Sequence, residues 1–458
     1  METEQTLKHK PFVYIVGLTA ALAGLLFGID IGAISGALPF LTLDFHLTTI
    51  EQESIVSAIL VGAVIGTLFS GFITRRYGRR FAILISALIF SVGSIFSAFA
   101  VSVTMLIIVR LFLGLALGLA SFTAPLYLSE VAPKNIRGAL IALYQLMITI
   151  GILAAFLSDT AFSLIGSWRW MLGLPFFPAF AMFLAVLMLP KSPRWLMLSG
   201  NKDQAIAVLD KVRHSHEVAG EVQEIEDSLI RTHSFREMMR NPLFIKVLLL
   251  GMLFQVIQQF SGINTVMYYA PTIFQMAGFS SHIGQMWGTV AVGSVNVLTT
   301  VVAILLVDKL GRRPILYFGL CVTTISLFLL GYLFHVGITT PTLQYAAVAF
   351  LLLFIVGFAV SLGPIMWILC AEIYPLRGRD VGVTFTTATN WLCNAIIGFT
   401  FLSLLGTLGA HGVFWMFSGI GLVSLIFVRF FVPETKDVSL EQIEANLFAG
   451  KSCRNLGR

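Results

Sequence analysis

Charge is what this sequence has least of. Aspartate, glutamate, lysine and arginine make up 11% of its 458 residues, while 57% are hydrophobic. Soluble domains carry roughly 25% charged residues, so a water-soluble core is excluded. Uncharged stretches such as 81–109 and 139–158 are long enough to cross a ~30 Å hydrocarbon layer as helices. They also lack the two-residue alternation of a porin strand. Cysteine is equally scarce. Cys321, Cys370 and Cys393 fall in apolar segments and Cys453 in a polar tail, so no disulfide is expected. No phosphate-cradling loop, Walker motif or nucleophile elbow is present, which leaves ATP-driven pumping and hydrolysis without support. His282, His335 and His411 lack metal-ligand spacing, so no metal, no cofactor and no enzyme activity are expected.

What remains is an all-α membrane protein. Apolar maxima divide into twelve segments, 12–38, 53–74, 81–100, 103–128, 138–158, 169–189, 243–275, 284–307, 314–336, 343–370, 380–407 and 411–432. The charge-rich stretch 190–242 between the sixth and seventh reads as a linker. Its amphipathic spacing (Ile206, Leu209, Val212, then Val222, Ile225, Leu229) predicts short surface helices. The net charge of +6 does not indicate nucleic acid, because the cations gather on one side. Arg75, Arg76, Arg79, Arg80, Lys309, Arg312 and Arg313 share that side, whereas the opposite loops 41–52 and 337–342 hold no Lys or Arg. The positive-inside rule then puts both termini in the cytoplasm. The first eleven residues are polar and the apolar segment after them is too long for a signal peptide, so no cleavage is expected.

The two halves resemble each other. Gly28-Ile29-Asp30 recurs as Gly262-Ile263-Asn264, and Arg76-Tyr77-Gly78-Arg79-Arg80 recurs as Lys309-Leu310-Gly311-Arg312-Arg313. Glu130-x-x-Pro133-x-x-x-Arg137 recurs as Glu372-x-x-Pro375-x-x-x-Arg379, in the same order. Duplication predicts two pseudo-symmetric six-helix bundles, 1–189 and 243–432, joined by the linker 190–242 and followed by a cytoplasmic tail 433–458. A central site and rocking between the halves follow as the physical expectation.

Asp30 and Arg110 read as the only ionisable residues deep within apolar segments. A charge there costs several kcal/mol unless it is paired or faces water or a moving ion. At ~1.5 Å per residue both sit ~10–14 Å below the outer surface, so a contact between them is possible. A lone acid beside a lone base points to proton handling; a static pair that fixes helix packing is the alternative. The exchange of Asp30 for Asn264 between repeats fits that reading, because an amide hydrogen-bonds but cannot bind and release a proton. Gln258, Gln259 and Asn264 share one apolar helix. Neutral amides of this kind suit a polyhydroxylated ligand, or else serve as interhelical polar contacts.

The same residues resemble the sugar porter family of the major facilitator superfamily over nearly the whole chain. The signatures run from Gly71 to Arg80, from Pro125 to Pro133 with Arg137-Gly138, and from Pro190 to Trp195. The second half adds Gln258-Gln259 to Asn264 with Tyr268-Tyr269, Asp308 to Arg313, and Pro433-Glu434-Thr435-Lys436. The stretches 157–163 and 387–391 are most similar to bacterial galactose–proton and arabinose–proton symporters. The resemblance implies the major facilitator fold, a multi-pass bacterial inner (plasma) membrane protein and a monomer, whose partners are a monosaccharide, a proton and the lipid bilayer. By motif match it implies sugar-binding positions at Gln145, Gln258, Gln259, Asn264, Asn296, Trp367 and Asn390, with an aromatic wall of Phe27, Tyr268 and Trp391. The family places its proton-coupling aspartate at the position of Asp30, where many facilitative carriers have a neutral Asn. One departure is Arg75, which stands where the family's first basic motif often has an acid.

Arg76, Arg80, Glu130, Arg137, Arg312, Glu372 and Arg379 read as a cytoplasmic gate of ion pairs between the halves, or as charge that only sets topology. Gly363 and Pro364 interrupt the tenth segment, as a hinge or a static kink. The function expected is proton-coupled monosaccharide import, galactose or arabinose first. A facilitative uniporter, a non-transporting sugar sensor and a drug–proton antiporter are the alternatives. The sensor is disfavoured by the short tail after Pro433, and the antiporter by a pocket rich in Gln and Asn rather than apolar. A fluorescent protein fused after Arg458 should fluoresce and alkaline phosphatase at the same site should be inactive; the reverse pattern would invert the topology.

Overall fold

The computed structural model describes residues 11–133, 136–213, 215–230, 238–375, 378–436, 438 and 440–457, and all regular structure among them is helical. The first half consists of α1 (Pro11–Phe45), α2 (Thr49–Tyr77), α3 (Arg79–Ala98), α4 (Val103–Val131), α5 (Arg137–Ser163), α6 (Trp168–Gly173) and α7 (Phe176–Met188). The linker forms α8 (Pro193–Leu198), α9 (Lys202–Val212) and α10 (Ser215–Ile230). The second half begins with α11 (Pro242–Phe260), α12 (Ile263–Tyr268), α13 (Ala270–Met276) and α14 (His282–Leu310). It continues with α15 (Arg312–Val336), α16 (Pro341–Val360), α17 (Leu362–Ile373) and α18 (Arg379–Phe431), before the tail helix α19 (Leu440–Phe448).

Among the described residues, eleven helical stretches are long and apolar enough to span a membrane. The last holds two spans. Its 53 residues are interrupted at Gly409, with φ 70° and ψ 167°, and at ~1.5 Å per residue a straight helix of that length would overshoot a ~30 Å layer more than twofold. The twelve expected segments are therefore all present.

Three segments are broken, of which only the tenth was expected to be. The seventh stops at Phe260 and restarts at Ile263 across Gly262, whose φ of 87° is open to glycine at little cost. The tenth breaks at Ser361 (φ −119°, ψ −83°), just before Gly363 and Pro364 rather than at them. Pro364 sits in the first turn of α17, where its missing N–H costs no helical bond. The sixth divides at Leu174-Pro175.

Helix ends are closed by the residues that the sequence supplies. Thr48 and Glu51 form a reciprocal capping box at the start of α2. Ser102, Ser281 and Thr340 accept from the backbone at the starts of α4, α14 and α16. Gly78 (φ 91°) turns α2 into α3 and Gly311 (φ 88°) turns α14 into α15, so the repeated basic motif makes the same turn twice.

Packing within the first half pairs α1 with α5, α2 with α4, and α3 with α4 and α7. In the second, α18 packs on α11 and α15, and α16 on α14 and α15. The seam between halves is lined by α2 against α18 and by α5 against α14. Glycines draw the first-half pairs together: a Cβ on Gly28 would fall on the carbonyl oxygen of Ile148, and one on Gly114 on that of Ile59. Small residues let helices approach where lipid offers no hydrophobic drive between them. The linker docks through Arg213, which holds Glu221 and donates to the carbonyls of Val131 (2.7 Å) and Ala132 (3.1 Å) at the end of α4.

Gly28→Ala should therefore destabilise the protein in detergent by about 1–3 kcal/mol, the cost of overpacking a tight contact. Gly71→Ala, where a Cβ meets nothing within 4 Å, should leave the melting temperature unchanged. Equal melting of both variants would contradict the close-approach account.

Candidate functional site

Arg110 on α4 is 1% exposed and Asp30 on α1 is 7% exposed. The structure brings them together: Arg110 Nη2 lies 3.4 Å from Asp30 Oδ2. That is long for an ionic hydrogen bond, which prefers about 2.7–2.9 Å. The tighter bond of Arg110 runs from Nε to the carbonyl of Ile55 on α2, at 2.7 Å. Three helices of the first half thus meet on one guanidinium, with its carboxylate partner only loosely engaged. Tyr268 of α12 lies within electrostatic reach of both charges from the opposite half.

Asp30 and Arg110 are not the only buried ionisable residues of the membrane region. Glu53 and Asp159 are each 1% exposed. The reading missed them because both fall at the edges of apolar segments, where a charge ordinarily faces water. Asp159 sits against Gly36 of α1, the space there being left by the absent side chain.

In the second half an amide cluster forms where the broken helices meet. Gln258 donates to the carbonyls of Leu362 (2.8 Å) and Gly363 (3.0 Å), in the first turn of α17 just after the break at Ser361. Asn390 on α18 donates to Gln255 (2.7 Å) and Gln258 (2.8 Å). Asn264 donates to Gln259 at 2.5 Å. Gln255 was not anticipated, although it lies one turn before Gln258 and Gln259 on the same helix. Asn394, one turn beyond Asn390, donates to the Tyr268 hydroxyl at 3.1 Å.

Asn296 is buried, while Gln145 and Trp367 are half-buried. Among the described residues no side-chain hydrogen bond ties these three to the cluster. Phe27 of α1 meets Trp391 of α18 across the seam, ring centroids 5.0 Å apart. The Trp391 indole Nε1 is buried and has no hydrogen-bond partner, and Asn394 Oδ1 is likewise unpaired. Buried polar groups are rarely left so.

At the basic end the expected pairing changes. Glu130 takes Arg79, with Nη2 to Oε1 at 2.7 Å, and a bond from Ser192 Oγ at 2.5 Å. Glu372 takes Arg312 at 2.8 Å, and a bond from Thr435 Oγ1 at 2.5 Å. Both pairs lie within one half, not across the seam. Arg79 is the repeat counterpart of Arg312, and the reading that chose its neighbours passed over it. Arg76 is exposed, whereas Arg80 donates to the carbonyls of Val186 and Leu187 at the end of α7. The side chain of Arg137 lies outside the described residues, and Arg379 begins α18. Glu434 accepts from the backbone N–H of Arg312 (3.0 Å) and Arg313 (2.9 Å), closing the N-terminus of α15.

Residues 16–447 match the family described as "Sugar (and other) transporter". The chain is 49% identical over 456 residues to a galactose-proton symporter of Escherichia coli K12, covering 99% of this chain and 98% of that protein. It is 47% identical over 447 residues to an arabinose-proton symporter of the same strain, covering 96% and 95%. A solved structure of the proton:xylose symporter XylE, of the major facilitator superfamily, superimposes with a TM-score of 0.81 at 31% identity, covering 95% of this chain and 98% of that one. XylE from E. coli in a partially occluded inward open conformation superimposes with a TM-score of 0.82 at 29% identity, covering 93% and 99%.

Arg79→Ala should leave the buried Glu130 carboxylate without its cation and lower stability by about 3–5 kcal/mol. Arg76→Ala should change it by less than about 0.5 kcal/mol, as at other exposed positions. Thermal unfolding in detergent distinguishes the two, and equal effects would refute the pairing.

Proposed function

The chain belongs to the sugar (and other) transporter family, and on that footing we propose that it is a proton-coupled monosaccharide importer working by alternating access. It is a carrier, not an enzyme. The observation that carries this reading is the loose Asp30–Arg110 contact of the first half, set beside the amide cluster and the unpartnered Trp391 N–H of the second.

The rocking units are the bundles 1–189 and 243–432, with 190–242 and 433–458 on the cytoplasmic side. With Asp30 ionised, Arg110 holds it and also ties α2 through Ile55. A proton on Asp30 removes the ionic attraction and leaves Arg110 with the Ile55 carbonyl. An ionised carboxylate stripped of both water and its cation costs several kcal/mol. In the proposed cycle reorientation proceeds with Asp30 protonated and sugar bound, or with Asp30 ionised, paired and the site empty. That exclusion of mixed states is the coupling.

The sugar is met by groups that match its hydroxyls. Each hydroxyl donates and accepts, as do Gln258, Gln259, Asn264 and Asn390. Gln145 on α5, Asn296 on α14 and Trp367 on α17 complete the set, and Phe27, Tyr268 and Trp391 supply ring faces for C–H contacts. Asn390 must exchange its bonds to Gln255 and Gln258 for bonds to sugar, which links binding to the break at Ser361 and the hinge of Gly363 and Pro364 that follows it. Arg76, Arg80, Glu130, Arg137, Arg312, Glu372 and Arg379 line the cytoplasmic gate, with the pairs Arg79–Glu130 and Arg312–Glu372 each bracing one half rather than bridging the seam. The protein acts as a monomer in the bilayer of a bacterial inner membrane. Galactose and arabinose are the first substrates to test, because the two symporters named above carry them.

Galactose, arabinose, xylose and glucose added in turn to lightly buffered, de-energised cells should produce external alkalinisation with at least one sugar. Asp30→Asn should abolish that signal while leaving labelled-sugar exchange down a gradient. Sugar entry with no pH change, equally fast in Asp30→Asn, would leave a facilitative uniporter.

A further inference from the structure

Glu53 is a carboxylate that the cycle above does not use. It lies in the second turn of α2, ~6 Å below the helix end at ~1.5 Å per residue, and is 1% exposed. Both of its oxygens are occupied by one residue of the opposite half. The backbone N–H of Ser403 donates to Oε1 at 2.7 Å and the Ser403 hydroxyl donates to Oε2 at 2.6 Å. Apolar contact continues the seam on either side. A Cβ on Gly398 of α18 would touch Leu60 and Val56 of α2, and Phe40 of α1 meets His282 of α14 with ring centroids 5.8 Å apart.

We propose that Glu53 and Ser403 form a latch that holds the outer end of the seam closed, and that Glu53 is a positioning residue of the transport cycle. This rests on the alternating-access reading. A carboxylate buried in a membrane protein is tolerated only where its hydrogen bonds are met. Here they are met entirely across the seam, so parting the halves exchanges both bonds for water and keeping them together retains both. The interaction exists in one state of the cycle only.

The latch also shares a helix segment with the proton site. Ile55, whose carbonyl Arg110 holds at 2.7 Å, lies two residues along α2 from Glu53. A change at Asp30 that releases or shifts Arg110 therefore acts on the turn that carries the latch. Coupling of this kind is established by a thermodynamic cycle rather than by proximity.

Spin labels at Val101 and Tyr345, exposed at the same end of opposite halves, report the width of the outer opening in the purified, full-length protein without sugar. Glu53→Gln should raise the ratio of open to closed outer ends about tenfold or more, as expected for loss of hydrogen bonds to a charged group. Ser403→Ala should shift it in the same direction by less, since the backbone N–H remains. Asp30→Asn should move the ratio in the wild-type background and move it less in Glu53→Gln. An unchanged distribution in Glu53→Gln overturns the latch. If that variant does not accumulate, Ser403→Ala decides, and no shift there overturns it equally. Equal effects of Asp30→Asn in both backgrounds overturn the coupling to the proton site. Sugar uptake is measured separately: distances that respond while no sugar is carried would sink the transport reading and leave the latch.

Discussion

A guanidinium buried among apolar helices constrains everything around it. Arg110 cannot lose its charge and cannot reach water, so its partners must come from the protein. They come from two helices, α1 through Asp30 and α2 through the Ile55 carbonyl. Both helices must lie close to their neighbours for that to happen. Gly28 seats α1 against Ile148 of α5, and Gly114 seats α4 against Ile59 of α2. The interior of the first half is thus organised so that one cation has a fixed acceptor and a variable one. The fixed acceptor is a carbonyl, which no proton removes. The variable one is a carboxylate, which a proton neutralises.

The second half has no such charge at its centre, and its polar chemistry is correspondingly different. Where the first repeat has Asp30 the second has Asn264, and around it Gln255, Gln258, Gln259 and Asn390 bond to one another and to the first turn of α17. Neutral amides can trade partners at modest cost because each bond broken is replaced by one of similar strength. Duplication thus leaves an ionisable group in one copy and a neutral amide at the matching place in the other.

At the basic end the duplication is retained rather than divided. Arg79, Glu130 and Ser192 in the first half correspond to Arg312, Glu372 and Thr435 in the second. Each set joins the turn after a long helix to the end of the fourth or tenth span and to the segment that leaves the bundle. Pro190-Lys191-Ser192 and Pro433-Glu434-Thr435 therefore occupy equivalent places, each carrying the hydroxyl that completes the carboxylate's bonds. These groups pair inside a half, so each bundle keeps its basic end intact as a body.

Much of this was legible in the chain itself. Long uncharged runs determine spanning helices, because a hydrocarbon layer accepts few alternatives. Repeated Gly28-Ile29-Asp30 and Gly262-Ile263-Asn264 gave the relation of the halves, and the isolation of Asp30 and Arg110 in apolar sequence marked them as a pair. Amides on one helix marked the second-half cluster. The tertiary structure alone decided which arginine serves which acid: Arg76 lies exposed in the last turn of α2, while Arg79 and Arg80 begin α3 and take different partners. It alone placed the break of the tenth span at Ser361, with Gln258 bonded to the first turn of α17 beyond it. And it alone revealed the bond between Glu53 and Ser403, 350 residues apart in sequence: composition and periodicity report how each helix meets lipid or core, not which two helices meet each other.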